Sequence, residues 1–580
     1  MYLLFAKQSF YEVVNYNHST NMQLKNNSHC PPGVEVTIFT NARIFTPTAT
    51  NPDSPFQDAM ITNGSQIQYI GSQTDRAILD AKEAGARENN LNNHIVVPGF
   101  IDSHMHILDF ALSQQKVNLL PCKTLDDIRS AIKRYAEAHP DAERIVCKSW
   151  MQASTGGVAL ATMLDEIEPA ERPVYIQAMD FHSSWCNTAA LQEMGAAGHD
   201  MKRDPPGGEI FRGEDGKPSG LFSENAHFAI VVPFLMSVIS IEDKLAALEN
   251  ALTAYTAAGY TGMIDMAMDE EQWVVLQAFR QRHGGELPFH IAAHWLVPYL
   301  EDQEEVFKYV DRAASLQREF HPSTSPNFCI AGIKLISDGV VDGCTAALSQ
   351  PYTSTAAAVY PIWPAEPQQA VVQRADAAGL QIAIHAIGDQ AVNQSINCLS
   401  QVKPGRRHRI EHLELTSPED AKRLGQLGIT ASVQPVHSDP VLFRAWPSLI
   451  GEHRCGRAFA YREFLEGGAA VALGTDAPTA AHFALPNLYN GTTRKSAIEP
   501  ESDETVNTHF GLPLADAVTA ATTGAAYSRF ADSWTGSLKP GLSADFVVLD
   551  MDWKAEGLLT ARVKQTWFRG RKTFDLDSGQ

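Results

Sequence analysis

The chain has 580 residues, 44% of them apolar and 19% charged, ordinary proportions for a soluble globular protein with room for one barrel-sized domain and a smaller companion. With 67 acidic against 46 basic residues its formal charge is −21, which argues against nucleic acid or an anionic membrane as partner, since both need clustered Lys and Arg. No apolar run approaches the roughly 20 residues that cross a bilayer, and the eight cysteines are scattered without a CxxC pair, which points to a reducing, cytoplasmic setting.

In chain order, residues 1–33 are rich in Asn, Ser and Tyr, lack a clean period and end in Pro31-Pro32-Gly33. They read as a disordered extension. The opening MYLLFAKQSF, interrupted by Lys7 and without a small-residue cleavage site, makes a poor signal peptide, and Met22 offers an alternative start. VEVTIFTNARIFT (34–46) alternates β-branched and aromatic residues with polar ones, and ITNGSQIQYIG (61–71) surrounds Asn63-Gly64, a hairpin signal. GSLKPGLSADFVVLD (536–550) and KQTWFRGRKTF (564–574) predict short strands of the same kind. Residues 34–93 and 536–580 are therefore expected to form one small composite β-sandwich, with residues 94–535 inserted between its halves.

The middle alternates strands with helices, the mark of a parallel sheet with crossover helices. Strands are predicted at 95–106, 261–267, 288–296, 329–339, 380–389, 408–415, 429–435 and 470–478, the number that closes a (β/α)₈ TIM barrel. Helical spacing of apolar residues is clear in IEDKLAALENALTAYTAAG (241–259). The long interval between the first two strands predicts an inserted cap over about 115–245. Within it, PPGGEIFRGEDGKPSG (205–220) reads as a surface loop or hairpin. No internal repeat is seen.

His104 and His106 are two residues apart at the end of an apolar strand, so both imidazoles face one side, at the carboxyl end where barrel active sites form. Two imidazoles on one face are natural ligands for a divalent transition metal. The pattern recurs: His385 ends LQIAIH, His412 lies in RIEHLEL, and Asp476 ends AVALGTD. A single such histidine is more often a satisfied core residue; the recurrence in barrel order marks a site. Lys334, in IAGIKLISDG, reads either as a lysine paired with Asp338 or with another buried acid, or as a lysine whose lowered pKa favours carbamylation.

The order HxH, Lys, His, His, Asp resembles the amidohydrolase superfamily. PGFIDSHMH, HAIGD, RIEH, GTDAP and GSLKPGLSADFVVLD resemble its amidohydrolase family 3 branch, which includes N-substituted formamide deformylases. The likeness runs from about residue 36 to 575. It implies a barrel with a composite β-sandwich, a centre of one or two zinc or similar divalent ions, and hydrolysis of amide-type bonds. By that resemblance His104, His106 and Asp476 would hold one metal. Lys334, if carbamylated, would bridge to a second held by His385 and His412. Monomer and homodimer are both compatible with it.

The expected chemistry is attack of metal-activated water on a small-molecule C–N bond, with Asp476 as base and then acid. In the insert, DFHSSWCNTAAL (180–191) offers His182, Trp185 and Asn187 as substrate-binding residues, with Trp150 beside them; the aromatic residues read equally as cap core. Two alternatives stand against this reading. A heterocycle deaminase would need an acid soon after His385, where Asp389 is the candidate. A catalytically silent binding protein would retain the ligand residues at a cost in stability.

Overall fold

The structure is a computed structural model that describes residues 36–47, 56–167 and 171–578. The expectations for residues 1–33, including the alternative start at Met22, lie outside these residues. Eight parallel strands form the central sheet: Phe100–Met105 (β1), Tyr260–Met268 (β2), His290–Leu296 (β3), Phe328–Ile336 (β4), Gln381–Ala386 (β5), Arg409–His412 (β6), Thr430–Val433 (β7) and Val471–Leu473 (β8). They are adjacent in sequence order, each paired with the next. Near-continuous burial explains their unbroken apolar runs, because helices cover the outer face. The first and last strands meet through backbone bonds from Asp476 N to His104 O (2.7 Å) and from His106 N to Ala477 O (2.9 Å). The barrel thus closes at its carboxyl end on residues singled out by the sequence.

The stretch 95–106, read as one strand, is two. Ile95–Pro98 pairs with Phe546–Leu549 in an outer sheet, while β1 pairs with β2. The chain changes sheets at Gly99, whose N–H bonds to Asp545 O while the next residue bonds to Gly259 O. A Cβ at Gly99 would lie 2.2 Å from Thr261 Oγ1, so only glycine lets the chain pass so close.

Both ends of the described chain build that outer region. A six-stranded sheet carries Arg571–Asp575, Arg562–Phe568, Phe546–Asp550, Ile95–Pro98, Arg43–Phe45 and Phe56–Gln57. A four-stranded sheet carries Gln66–Gly71, Ala59–Asn63, Val36–Thr40 and Arg87–Asn90. Phe39 packs edge-on to Phe546 and Trp567, with ring centroids 5.1 and 5.0 Å away, in a core shared with Ile44 and Val96.

Between β1 and β2 the chain makes another six-stranded sheet, of Gly208–Arg212, Pro218–Glu224, Ser183–Cys186, Val174–Ala178, Ile145–Trp150 and Val117–Asn118. Its first two strands form a hairpin over the Gly- and Pro-rich segment. The insert has its own core, in which Ile128 and Ile132 of the helix Leu125–Ala138 pack with Trp150, Ile176 and Trp185. Ser240 caps the helix Ile241–Ala257 by accepting from Asp243 N, and the chain then enters β2. The seven cysteines of the described residues are free, and no helix there is long and apolar enough to cross a membrane.

Candidate metal centre

The carboxyl ends of β1, β5, β6 and β8 bring the sequence-predicted histidines and Asp476 together. Among the described residues, ligand atoms of His104, His412 and Asp476 lie within 4.8 Å of one another. His106 ends the same strand and donates from Nε2 to Asp476 Oδ1 at 3.1 Å; His104 Nε2 is 3.4 Å from that oxygen. The His385 ring stands 4.3 Å, centroid to centroid, from that of His412.

Local backbone conformation aims these groups. His412 and Asp476 have φ of 75° and 57°, in the left-handed region where side chains other than glycine are rare. Such residues cost about 1–3 kcal/mol each and persist where the surroundings over-determine them, most often at functional sites. A Cβ at Gly474 would lie 2.5 Å from His104 N, so this glycine lets the end of β8 press against His104. Asp102 ties the two strands from beneath: it accepts from Thr475 N (2.9 Å), Thr475 Oγ1 (2.5 Å) and Tyr255 Oη (3.1 Å).

His104 is oriented by a buried carboxylate. Its Nδ1 donates to Glu411 Oε2 at 2.7 Å, which leaves Nε2 as the ring's free ligand atom. Glu411 is itself gripped by Arg409, with Nε at 2.6 Å and Nη2 at 3.0 Å; Arg409 Nη2 also donates to Ser103 O and Ser432 Oγ at 2.7 Å. Burial pulls the Glu411 carboxyl upward, but Arg409 and His104 more than reverse it and hold it well below the ordinary range.

The imidazoles are kept mostly neutral. Burial, helped by the charge of Lys334, lowers His104 to about 4. His385 and His412 are pushed well below their usual value, by burial first and then by neighbouring cationic groups. His106 moves the other way: burial opposes protonation, but the hydrogen bond and charge of Asp476 prevail. Burial resists ionisation of Asp476 too, yet His104, His106 and His437 hold it far down, as a carboxylate.

Lys334 projects from β4 and is buried. Among the described residues its amine makes no hydrogen bond or ion pair, and burial lowers it to about 8. Of its possible acidic partners, Asp338 is otherwise engaged, accepting from the backbone N–H groups of Ala347, Ile387 and Gly388 at 2.8–3.0 Å, while the buried Glu411 and Asp476 act on the amine electrostatically. His385 Nε2, 3.6 Å from Asp338, donates to Gly339 O.

Of the residues expected to touch substrate, His182 stands at the cluster, its ring 5.4 Å from that of His385. Its Nδ1 donates to Glu224 Oε2 at 2.7 Å. Burial disfavours the cation, but Glu224 and then Asp180 raise His182 to about 9. Trp150, Trp185 and Asn187 lie inside the insert. The two tryptophans pack on each other at 5.3 Å, and Trp185 Nε1 donates to Leu160 O. Asn187 caps the helix Thr188–Ala196, accepting from Ala190 N and Val174 N and donating to Arg172 O. Asp389, the acid a deaminase would need, accepts from Ser349 N and Ser349 Oγ.

Several polar groups at the candidate site escaped the sequence reading: Glu411, Asp102, Glu224, His437 and Glu414. His437, two residues into the short helical turn Pro435–Ser438, donates from Nδ1 to Glu414 Oε1 at 3.2 Å and lies 3.7 Å from Asp476 Oδ2. His412, Glu414 and His437 form another group with ligand atoms within 4.8 Å. The available signal was charged residues inside apolar strands: Glu411 and Glu414 both fall within RIEHLEL.

This donor set fits a divalent transition metal. The imidazoles of His104, His385 and His412 kept unprotonated by burial, a carboxylate kept ionised, and a buried His412 Nδ1 with no hydrogen-bond partner together offer what such an ion takes.

The chain resembles known proteins over most of its length. The chain is 29% identical over 562 residues to Protein LONG AFTER FAR-RED 3 of Arabidopsis thaliana, covering 94% of this chain and 92% of that one. It is 28% identical to the putative amidohydrolase YtcJ of Bacillus subtilis, covering 80% and 85%, and 24% identical to an N-substituted formamide deformylase of Arthrobacter pascens, covering 89% and 93%. The fold matches that of an uncharacterized metal-dependent hydrolase from Pyrococcus horikoshii with a TM-score of 0.69 at 21% identity, over 93% of this chain and all of that one. The profile of the amidohydrolase family matches residues 87–574, and with that match over a barrel closed on its histidines and Asp476, this chain belongs to the amidohydrolase family.

Proposed function

We propose that this protein hydrolyses the C–N bond of a small-molecule amide of N-formyl or N-acyl type, using zinc or a similar divalent metal. His104, His106, His412 and Asp476 would hold the ion. Bound there, a divalent metal supplies Lewis acidity and brings the pKa of water down to about 7. The observation that carries the reading is the convergence of His104, His412 and Asp476 within 4.8 Å. The formamide deformylase of Arthrobacter pascens, similar over most of its length, supports the choice of bond.

The protein's own groups divide the remaining work. Asp476 takes the proton of the attacking water on a carboxylate oxygen and returns it to the departing nitrogen. His182, held at Nδ1 by Glu224, presents Nε2 to the substrate carbonyl and orients it. In the test, the purified protein is analysed for metal and given N-formyl and N-acyl compounds beside nitrogen heterocycles. Amine plus formate or carboxylate should appear, with activity lost on chelation and restored by zinc. Ammonia from heterocycles without amide cleavage would replace the reading by deamination. A protein that binds no metal and turns nothing over would sink it.

Lys334, buried and without a hydrogen-bonding partner, completes a second metal position with His385 in this reading. Its neutral amine attacks CO₂, forms an N–C bond and sheds a proton, leaving a carbamate anion. Protein prepared with ¹³C-bicarbonate should show a carbamate carbon signal, and Lys334→Ala should lower the metal content from two equivalents to one. An unchanged metal content in Lys334→Ala would remove the lysine from the centre.

A further inference from the structure

We propose that Lys116 and Lys148 form an anion-binding subsite between the barrel and the insert, and hence that the amide substrate carries a carboxylate. The inference rests on the amide-hydrolase reading above and names the class of amide.

Lys148 lies on the insert strand Ile145–Trp150, and Lys116 directly precedes the strand Val117–Asn118 that pairs beside it. Each ammonium has a neutral acceptor. Lys116 Nζ donates to Gln177 Oε1 at 2.5 Å, and Lys148 Nζ to Ser113 Oγ at 3.4 Å. Gln177 and Ser113 are buried. Neither lysine has a carboxylate within 4.0 Å among the described residues, in a chain whose net charge is −21. The two are close enough to repel each other, and both are half-buried. The buried Asp109, beyond 4.0 Å, acts favourably on Lys116, whereas Lys148 has only the repulsion of Lys116. Two like charges withdrawn from water with one distant counter-ion are costly, and an anion shared between them reduces that cost.

The pair borders segments that lead to the metal centre. Ser113 closes the helix Ile107–Ser113 that His106 begins. Lys148 acts electrostatically on His482, in the loop that follows Asp476. On the other side, the Phe181 ring lies 6.0 Å from Lys116 Nζ, and its neighbour His182 stands beside His385. A molecule with its amide among the histidines and a carboxylate at the lysines would lay an apolar spacer along Phe181. N-acylated or N-formylated amino acids have this form.

The test uses metal-loaded protein and two probes that cannot be hydrolysed, 3-phenylpropanoate and the neutral 3-phenylpropan-1-ol. Calorimetry should show the acid binding at least about tenfold more tightly, as expected of hydrogen bonds to a charged group. Lys116→Met and Lys148→Met should each abolish most of that preference, and Lys116→Arg should keep it. Equal binding of acid and alcohol by the parent protein would overturn the subsite. So would a preference that survives in both methionine variants, since the carboxylate would then be seated on the metal. Activity separates this from the broader proposal: equal hydrolysis of N-formylphenylalanine and its neutral amide refutes the subsite alone. Absence of all amide hydrolysis with the binding preference intact refutes only the reaction.

Discussion

Asp476→Asn should lower kcat by about a thousandfold or more while leaving the fold intact, the scale of losing a group that both accepts and returns the reacting proton. The side chain is buried and ionised, with His104 and His106 at 3.4 and 3.1 Å and His437 at 3.7 Å. Asparagine matches its size and is among the few residues at ease in a left-handed backbone, so φ of 57° poses no new strain. The backbone bond from residue 476 to His104 O is also untouched. What disappears is the negative charge. Steady-state kinetics, metal analysis and a thermal melt on one preparation separate the consequences. Lost turnover with metal retained assigns the proton-transfer role; metal lost as well adds the ligand role. A kcat within about tenfold of the parent would exclude Asp476 from both.

Glu411→Gln is expected to damage stability and metal binding together. Arg409 and Glu411 are both fully buried, and the other partners of Arg409 are a backbone carbonyl and serine hydroxyls. Neutralising Glu411 strands a guanidinium away from water, at a cost of about 3–5 kcal/mol measurable by urea denaturation. The same change weakens the anchor of His104 Nδ1, and metal affinity should fall by about 10–100-fold. The double variant Arg409→Met with Glu411→Leu tells the effects apart. Removing both charges should recover most of the stability, whereas His104 still lacks its carboxylate and metal affinity stays low. Metal affinity fully restored in the double variant would show that Glu411 does not orient the ligand.

The barrel was legible because its evidence is local. Each strand announces itself by a short apolar run, and the residues ending those runs (His106, His385, His412 and Asp476) stand out as polar exceptions within a few positions. The same locality misled where the chain runs straight across two sheets: nothing in PGFIDSHMH marks Gly99 as the point of exchange, since that depends on Thr261 and Asp545 being near it. The insert was harder still. Trp150, Trp185 and Asn187 have side chains as well suited to a ligand as His182, and their employment in packing and helix capping follows from neighbours that sequence order does not reveal.

Residue type and spacing along the chain suffice to identify the barrel and to single out the polar side chains that end its strands, since periodicity and strand ends are written within a dozen neighbouring positions. The carboxylate behind His104 lies 307 positions away. The arrangement of His437 with Asp476, the pairing of His182 with Glu224, and the approach of Lys116 to Lys148 are likewise distances across folded segments. Charge, desolvation and hydrogen bonding act through space over a few ångströms, and only closure of the barrel and docking of the insert set those separations.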